Sequence, residues 1–148
     1  MIKLVQPEQK EIIYQIVKLE SASFGVGGLN EWTLMPLIRH GRVFYIEEND
    51  MLLACAQYML DWNNHYKAYL VGLSVKEEMR GKGLGTLLLK ETLQILSEEN
   101  IISVELTVDP QNKAAISVYD RKLGFVIVGQ LADEYGKGIN RIVMKKTL

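Results

Sequence analysis

The sequence predicts a single α/β domain (α+β in some schemes) over residues 1–148, with a mixed, strongly twisted sheet of six or seven strands and helices on both faces. Three observations predict it. The run from Tyr69 to Val108 reads as strand, helix, strand, and that connection implies a parallel pair. Val43 to Glu48 with Met51 to Leu60, and Phe125 to Gln130 with Ile139 to Lys145, read as antiparallel pairs. Finally, 148 residues, 48% of them hydrophobic and 24% charged, suit one ordinary globular domain rather than a disordered chain.

In chain order, Met1 to Val5 is an edge strand stopped by Pro7. From Glu8 to Glu20, Ile12, Ile13, Ile16, Val17 and Leu19 recur at helical spacing and predict an amphipathic helix lying on a flat surface. Ser21 to Leu29 is a glycine-rich loop, read either as a mobile connection or as a segment that closes over a substrate. Asn30 caps a second helix, Glu31 to His40, which Gly41 ends. The hairpin Val43 to Leu60 turns at Asn49-Asp50, and the polar turn Asp61 to Tyr66 leads to the central strand, Tyr69 to Val75. A glycine-rich bend then opens a helix with Leu84, Leu87, Leu88, Ile95 and Leu96 on one face, stopping near Asn100. Ile101 to Val108 is the next strand, and Asn112 caps a helix through Lys122 that Gly124 closes before the last two strands.

A net charge of −1 supplies no field for nucleic acid or anionic lipid, so neither is expected as a partner. The one cysteine, Cys55, cannot form an internal disulfide and is read as a buried small hydrophobe. Met1 to Pro7 is too short and polar for a signal peptide, and no apolar run reaches the length of a membrane span; a cytoplasmic protein is expected.

The stretch most informative about function is Tyr69-Leu-Val-Gly-Leu-Ser-Val75 with the bend Arg80-Gly-Lys-Gly-Leu-Gly85. A glycine bend entering a helix gathers unpaired amides and the positive end of the helix dipole at one point, which makes an anion site. Glycines at 81, 83 and 85 remove the Cβ atoms that would hold a phosphate away from the backbone. The P-loop pattern fails on spacing, and the dinucleotide fingerprint fails because Thr86 stands where its third glycine belongs. Gly72 is anomalous in a strand and marks either a bulge or a close approach.

Arg80 to Gly85, the upstream Leu73-Ser-Val75 and the downstream Asn112-Lys-Ala-Ala-Ile-Ser-Val-Tyr-Asp-Arg-Lys-Leu-Gly-Phe125 together resemble the GNAT superfamily of acyl-CoA-dependent N-acyltransferases. The resemblance implies acetyl-CoA as cosubstrate, no metal, and a splayed parallel strand pair whose gap admits the pantetheine arm. It implies that Leu73, Ser74 and Val75 contact that arm, and that Arg80, Gly81, Lys82, Gly83, Leu84, Gly85 and Thr86 hold the pyrophosphate. The Arg80 and Lys82 side chains are read equally as solvated loop cations. Asn112, Ala115 and Tyr119 fall along one helical face, with about 10 Å of rise between the first and the last. By the same likeness Asn112 and Ala115 bind the arm, and Tyr119 protonates the leaving thiolate as general acid; a plain N-cap and a core aromatic are the alternatives.

Transfer to an amine needs a neutral nitrogen, and a lysine-like amine of pKa about 10.4 pays about 4.6 kcal/mol for it at neutral pH. Many relatives carry a glutamate on the central strand, yet Lys67 to Val71 holds no carboxylate. The base is therefore unassigned among Glu31, Asp61, His65, Asp133 and Glu134. Leu131 to Met144 resembles the last loop and strand of relatives that acetylate protein N-termini, which implies that Tyr135 and the loop Phe24 to Trp32, with Glu31 and Trp32 as candidates, flank the acceptor; surface packing is the alternative. The expected activity is transfer of acetyl to a primary amine, whether a protein N-terminus, a lysine or a small molecule, by a monomer or homodimer. A non-catalytic acyl-CoA sensor is the alternative.

Overall fold

The computed structural model describes every residue, Met1–Leu148. The elements are β1 (Ile2–Leu4), α1 (Lys10–Phe24), α2 (Glu31–His40), β2 (Arg42–Glu48), β3 (Met51–Leu60), β4 (Lys67–Val75), α3 (Leu84–Glu98), β5 (Ser103–Val108), α4 (Lys113–Ser117), β6 (Val126–Leu131) and β7 (Arg141–Thr147). Seven strands form one mixed sheet in the order β1-β2-β3-β4-β5-β7-β6, as the α/β reading expects. No helix is long and apolar enough to cross a membrane. The chain divides into two compact units, Met1–Met59 with Val71–Thr92, and Leu60–Leu70 with Leu93–Leu148.

In the first unit, β1, β2 and β3 pair antiparallel in sequence. The turn between β2 and β3 has positive φ at Asn49 and Asp50, 51° and 61°, which suits the twist of a two-residue hairpin. Side chains alternate across this ribbon. Val43, Tyr45 and Cys55 join Ile12, Ile13 and Ile16 of α1 and Leu34, Leu37 and Ile38 of α2 in one core. Phe44 and Tyr58 lie on the other face, edge to face at 6.1 Å, and the Tyr58 hydroxyl lies 2.7 Å from Thr92 Oγ1 of α3. Helices thus cover both faces of the ribbon.

Helices α1 and α3 depart from the sequence reading. α1 runs to Phe24, four residues past the predicted end, because nothing stops it until Gly25, whose φ of 59° breaks the helix. On α3 the buried stripe is Leu88, Leu89, Thr92, Leu93 and Leu96, while Leu87 is 45% exposed. α2 starts and ends as predicted, with Asn30 Oδ1 accepting the Thr33 N–H at 3.2 Å.

In the second unit, the first residues of β4 pair parallel with β5, Lys67 opposite Ser103, Ala68 opposite Val104 and Tyr69 opposite Glu105. β5 pairs antiparallel with β7, and β7 with β6. Lys67 Nζ lies 3.0 Å from Glu105 and 3.2 Å from Asp61, so Glu105 serves an ion pair. The predicted helix through Lys122 is α-helical only to Ser117. Val118–Lys122 widens into a π turn, closed by the Leu123 N–H on the Val118 carbonyl at 3.2 Å.

Candidate functional site

The glycine bend lies wholly in the first unit, between β4 and α3. Gly81 and Gly83 have φ of 75° and 77°, the left-handed region that other residues enter at a cost. An added Cβ would meet nothing within 4 Å at either position, so their outward face is open. The amides of Gly81 to Thr86 donate to no other backbone group, and the first to bond back is Leu87, to the Gly83 carbonyl at 3.0 Å. A row of free donors at the head of a fifteen-residue helix is suited to an anion. Gly85 has a different duty. A Cβ there would lie 3.2 Å from Val75 Cγ2 and 3.4 Å from Leu73 Cδ2, so its absence lets α3 close on β4.

Arg80 is anchored, since its Nε donates to the Val75 carbonyl at 3.0 Å and its Nη2 to Ser23 Oγ at 3.5 Å. Lys82 is exposed, whereas Leu84 and Thr86 are half-buried. Leu73 and Val75 are half-buried and turn toward α3; Ser74 turns the opposite way and is buried, with Oγ 3.2 Å from Cys55 Sγ. Only the backbone of Ser74 is therefore free to meet a ligand. Gly72 is a close approach, with Gln57 Oε1 only 2.8 Å from where its Cβ would be.

Asn112, Ala115 and Tyr119 lie in the second unit. Asn112 Oδ1 caps α4 by accepting the Ala115 N–H at 3.1 Å, which leaves its Nδ2 as the outward donor. Tyr119 sits in the π turn and packs edge to face on Phe125 at 5.9 Å. Burial pushes its phenol above the ordinary 10.0, so it is a neutral donor at pH 7. Glu31 and Trp32 are exposed on the first turn of α2, Trp32 at 89%. Tyr135 carries the Arg141 guanidinium over its ring at 5.2 Å. Tyr69 approaches Thr107 Oγ1 at 3.0 Å, and burial raises its phenol, Tyr135 adding to the rise.

Two of the candidate bases have structural duties. Asp61 Oδ1 accepts the Asn63 and Asn64 amides, and these bonds with Lys67 hold its carboxyl below the ordinary value. Asp133 accepts the Gly138 amide at 2.7 Å inside its own loop. His65 stacks edge to face on Trp62 at 6.4 Å. The sequence reading missed Glu20, which is buried. Its spacing was the available signal, because Glu20 follows Ile12, Ile13 and Ile16 on the inward stripe of α1.

The profile of the acetyltransferase (GNAT) family matches residues 13–125. The chain belongs to this family. No curated protein sequence matches it. Among solved structures, the GNAT chain resembles Ard1 from Thermoplasma volcanium at 23% identity and TM-score 0.86, over 100% of this chain and 97% of that one. It is similar to a ribosomal-protein-alanine N-acetyltransferase from Brucella melitensis at 20% identity and TM-score 0.79, over 100% and 99%. It is also similar to an aminoglycoside 6'-N-acetyltransferase complexed with coenzyme A, at 17% identity and TM-score 0.81, over 99% and 96%. These likenesses are of fold. Family membership supports acetyl transfer in general, with acetyl-CoA as the cosubstrate that the family implies. The open, donor-rich face of Gly81 to Thr86 fits the pyrophosphate of that cosubstrate. No group of three or more His, Cys, Asp or Glu side chains is disposed to hold a metal ion.

Proposed function

We propose that residues 1–148 form one N-acetyltransferase domain that moves acetyl from acetyl-CoA to a primary amine by direct attack of that amine. The single observation that carries this reading is the loop Gly81 to Thr86, with two left-handed glycines and unbonded amides at the head of α3. Acetyl-CoA supplies an acetyl group already activated as a thioester. The loop amides and the helix dipole, about half an elementary charge, hold the pyrophosphate. Arg80, fixed by Val75, and the exposed Lys82 add positive charge there.

The backbone of Leu73, Ser74 and Val75 pairs with the pantetheine arm, and Gly85 keeps that segment pressed to the helix. Asn112 offers Nδ2 to the arm, and Ala115 leaves space for it. Tyr119 is the general acid toward the departing sulfur. Transfer from a phenol of pKa about 10 to a thiolate of about 8.5 is uphill by at least about 2 kcal/mol, so its hydrogen bond strengthens before the proton moves. Glu31, Trp32 and Tyr135 contact the acceptor, which is a protein N-terminus, a lysine or a small-molecule amine. The protein works in the cytoplasm as a monomer or homodimer.

The test is to incubate the purified protein with acetyl-CoA and a panel of alanine- and serine-starting peptides, a lysine peptide, spermidine and kanamycin, following thiol release and thermal shift. Acetyl-CoA raises the melting temperature and at least one amine releases thiol. Absence of any shift with acetyl-CoA contradicts the cofactor assignment. A shift with no turnover across the panel favours an acyl-CoA sensor instead.

A further inference from the structure

In the first unit, a polar cluster interrupts the apolar layer between α1 and the sheet. Glu20, Gln57, Cys55 and Ser74 are 2%, 0%, 0% and 3% exposed. Gln57 Nε2 donates to Glu20 Oε1 at 2.8 Å and to Cys55 Sγ at 3.2 Å. The Ser74 hydroxyl donates to Glu20 Oε1 at 3.4 Å, and the Leu29 amide to Glu20 Oε2 at 3.5 Å. One atom is left over. Gln57 Oε1 is the buried side-chain polar atom with no hydrogen-bond partner.

That orphan faces β4. A Cβ on Gly72 would lie 2.8 Å from Gln57 Oε1 and 4.0 Å from Glu20 Oε1. Two acceptor oxygens therefore converge where the strand has no side chain. Glu20 Oε1 already accepts from Gln57 and Ser74, whereas Gln57 Oε1 still lacks a hydrogen donor, an arrangement that buried polar atoms rarely keep. Leu73 and Val75 give the other face of the strand to α3, so this is the face of the segment on which a carboxylate lies.

We propose that Glu20 is the proton acceptor of the acetyl transfer, reached through one water held between Gln57 Oε1 and Glu20 Oε1 at Gly72. The inference rests on the acyltransferase reading above and supplies the base that β4 lacks. As the nitrogen bonds to the acetyl carbon, it gives one proton to the water, and the water gives one to the Glu20 carboxylate. The carbon–sulfur bond breaks with its electron pair on sulfur, which takes the Tyr119 proton. Glu20 then releases its proton to solvent, from which Tyr119 is restored.

The surroundings leave Glu20 as the group that titrates. β3 presents Gln57 and Cys55, β4 presents Gly72 and Ser74, and the loop before α2 presents the Leu29 amide. Burial pushes the Cys55 thiol up to about 12, so it stays neutral. Burial likewise raises the Glu20 carboxyl, opposed by its bonds from Gln57, Leu29 and Ser74, and no Lys, Arg or His acts on it. A carboxyl raised in this direction moves toward the range in which general bases work at neutral pH.

The test begins on the ligand-free protein carrying carboxyl-13C glutamate, with the Glu20 signal assigned by its loss in Glu20→Gln and followed across pH by NMR. Glu20 titrates above the ordinary 4.5, with a midpoint matching the acidic limb of kcat/KM for the panel amine turned over fastest. Glu20→Gln lowers kcat about 100-fold, abolishes that limb and leaves the acetyl-CoA thermal shift unchanged, whereas Glu20→Asp keeps the limb. A Glu20 signal titrating at or below the ordinary value overturns the proposal, as does a limb that persists in Glu20→Gln. Should Glu20→Gln fail to fold, the Glu20 signal is assigned by its loss in Glu20→Asp, and the match of its wild-type midpoint to the acidic limb decides. A wild-type protein with no acetyl-CoA shift overturns the acyltransferase reading itself, and the proposal with it.

Discussion

Alanine at Gly83 separates the phosphate cradle from the stability of the fold. Its added methyl meets nothing within 4 Å, so sterics alone would allow it, but the φ of 77° places alanine in the left-handed region. That conformation costs about 1–2 kcal/mol, which for a domain of this size lowers the melting temperature by about 2–8 °C. The methyl also stands on the open face where the loop amides point. Loss of close approach to the pyrophosphate weakens coenzyme A binding at least tenfold, about 1.4 kcal/mol. The assay is a melt without ligand followed by calorimetric titration of coenzyme A at fixed ionic strength, because phosphate contacts are screened by salt. Gly85→Ala is the contrast, since its methyl lies 3.2 Å from Val75 Cγ2 and strains helix–strand packing instead. A Gly83→Ala protein that melts low yet binds coenzyme A with unchanged affinity refutes the cradle.

Three further outcomes follow from the same geometry. Tyr119→Phe lowers kcat about 100-fold with little change in the KM for acetyl-CoA, measured by thiol release, and an unchanged kcat with chemistry rate-limiting removes its role as donor. Native protein resists iodoacetamide at Cys55, because the thiol is buried and held at about 12; stoichiometric labelling of the folded chain contradicts its placement. Glu20→Gln changes stability with pH in a set direction. A carboxyl raised in the folded state contributes stability that is full below its ordinary value of 4.5 and is lost as pH rises through the raised one. The melting temperature of the variant therefore gains on wild type between mildly acidic solution and about pH 8, and an equal gap at both would show Glu20 unperturbed.

Where a residue's local chemistry decides its structure, the sequence was legible. Asn30 and Gly41 bound α2 because a side-chain oxygen and a glycine terminate a helix whatever surrounds them. The β4–α3–β5 crossover follows from element order and connection length, and with it the parallel pairing of β4 with β5. The bend at the head of α3 follows from three glycines at alternate positions. What was not legible depends on neighbours distant in sequence. Leu87 has the same composition as Leu88 and Leu89, and only the position of the sheet decides that it faces outward.

Ser74 reads as an ordinary strand residue, yet alternation places it under Glu20 and Cys55, so its side chain is taken. The π turn at Val118–Lys122 carries no pattern of its own, and it alters the helical spacing that relates Tyr119 to Asn112. Glu20 was hidden by its charge. A glutamate at the end of an amphipathic helix is normally solvated, and its burial depends on Gln57 and the Leu29 amide, which approach from other segments.

The most direct measurement of the central claim is a crystal structure of the chain with coenzyme A bound. The account predicts pyrophosphate oxygens at about 2.7–3.2 Å from backbone nitrogens between Gly81 and Thr86. A coenzyme bound elsewhere, with those amides facing only water, would contradict it.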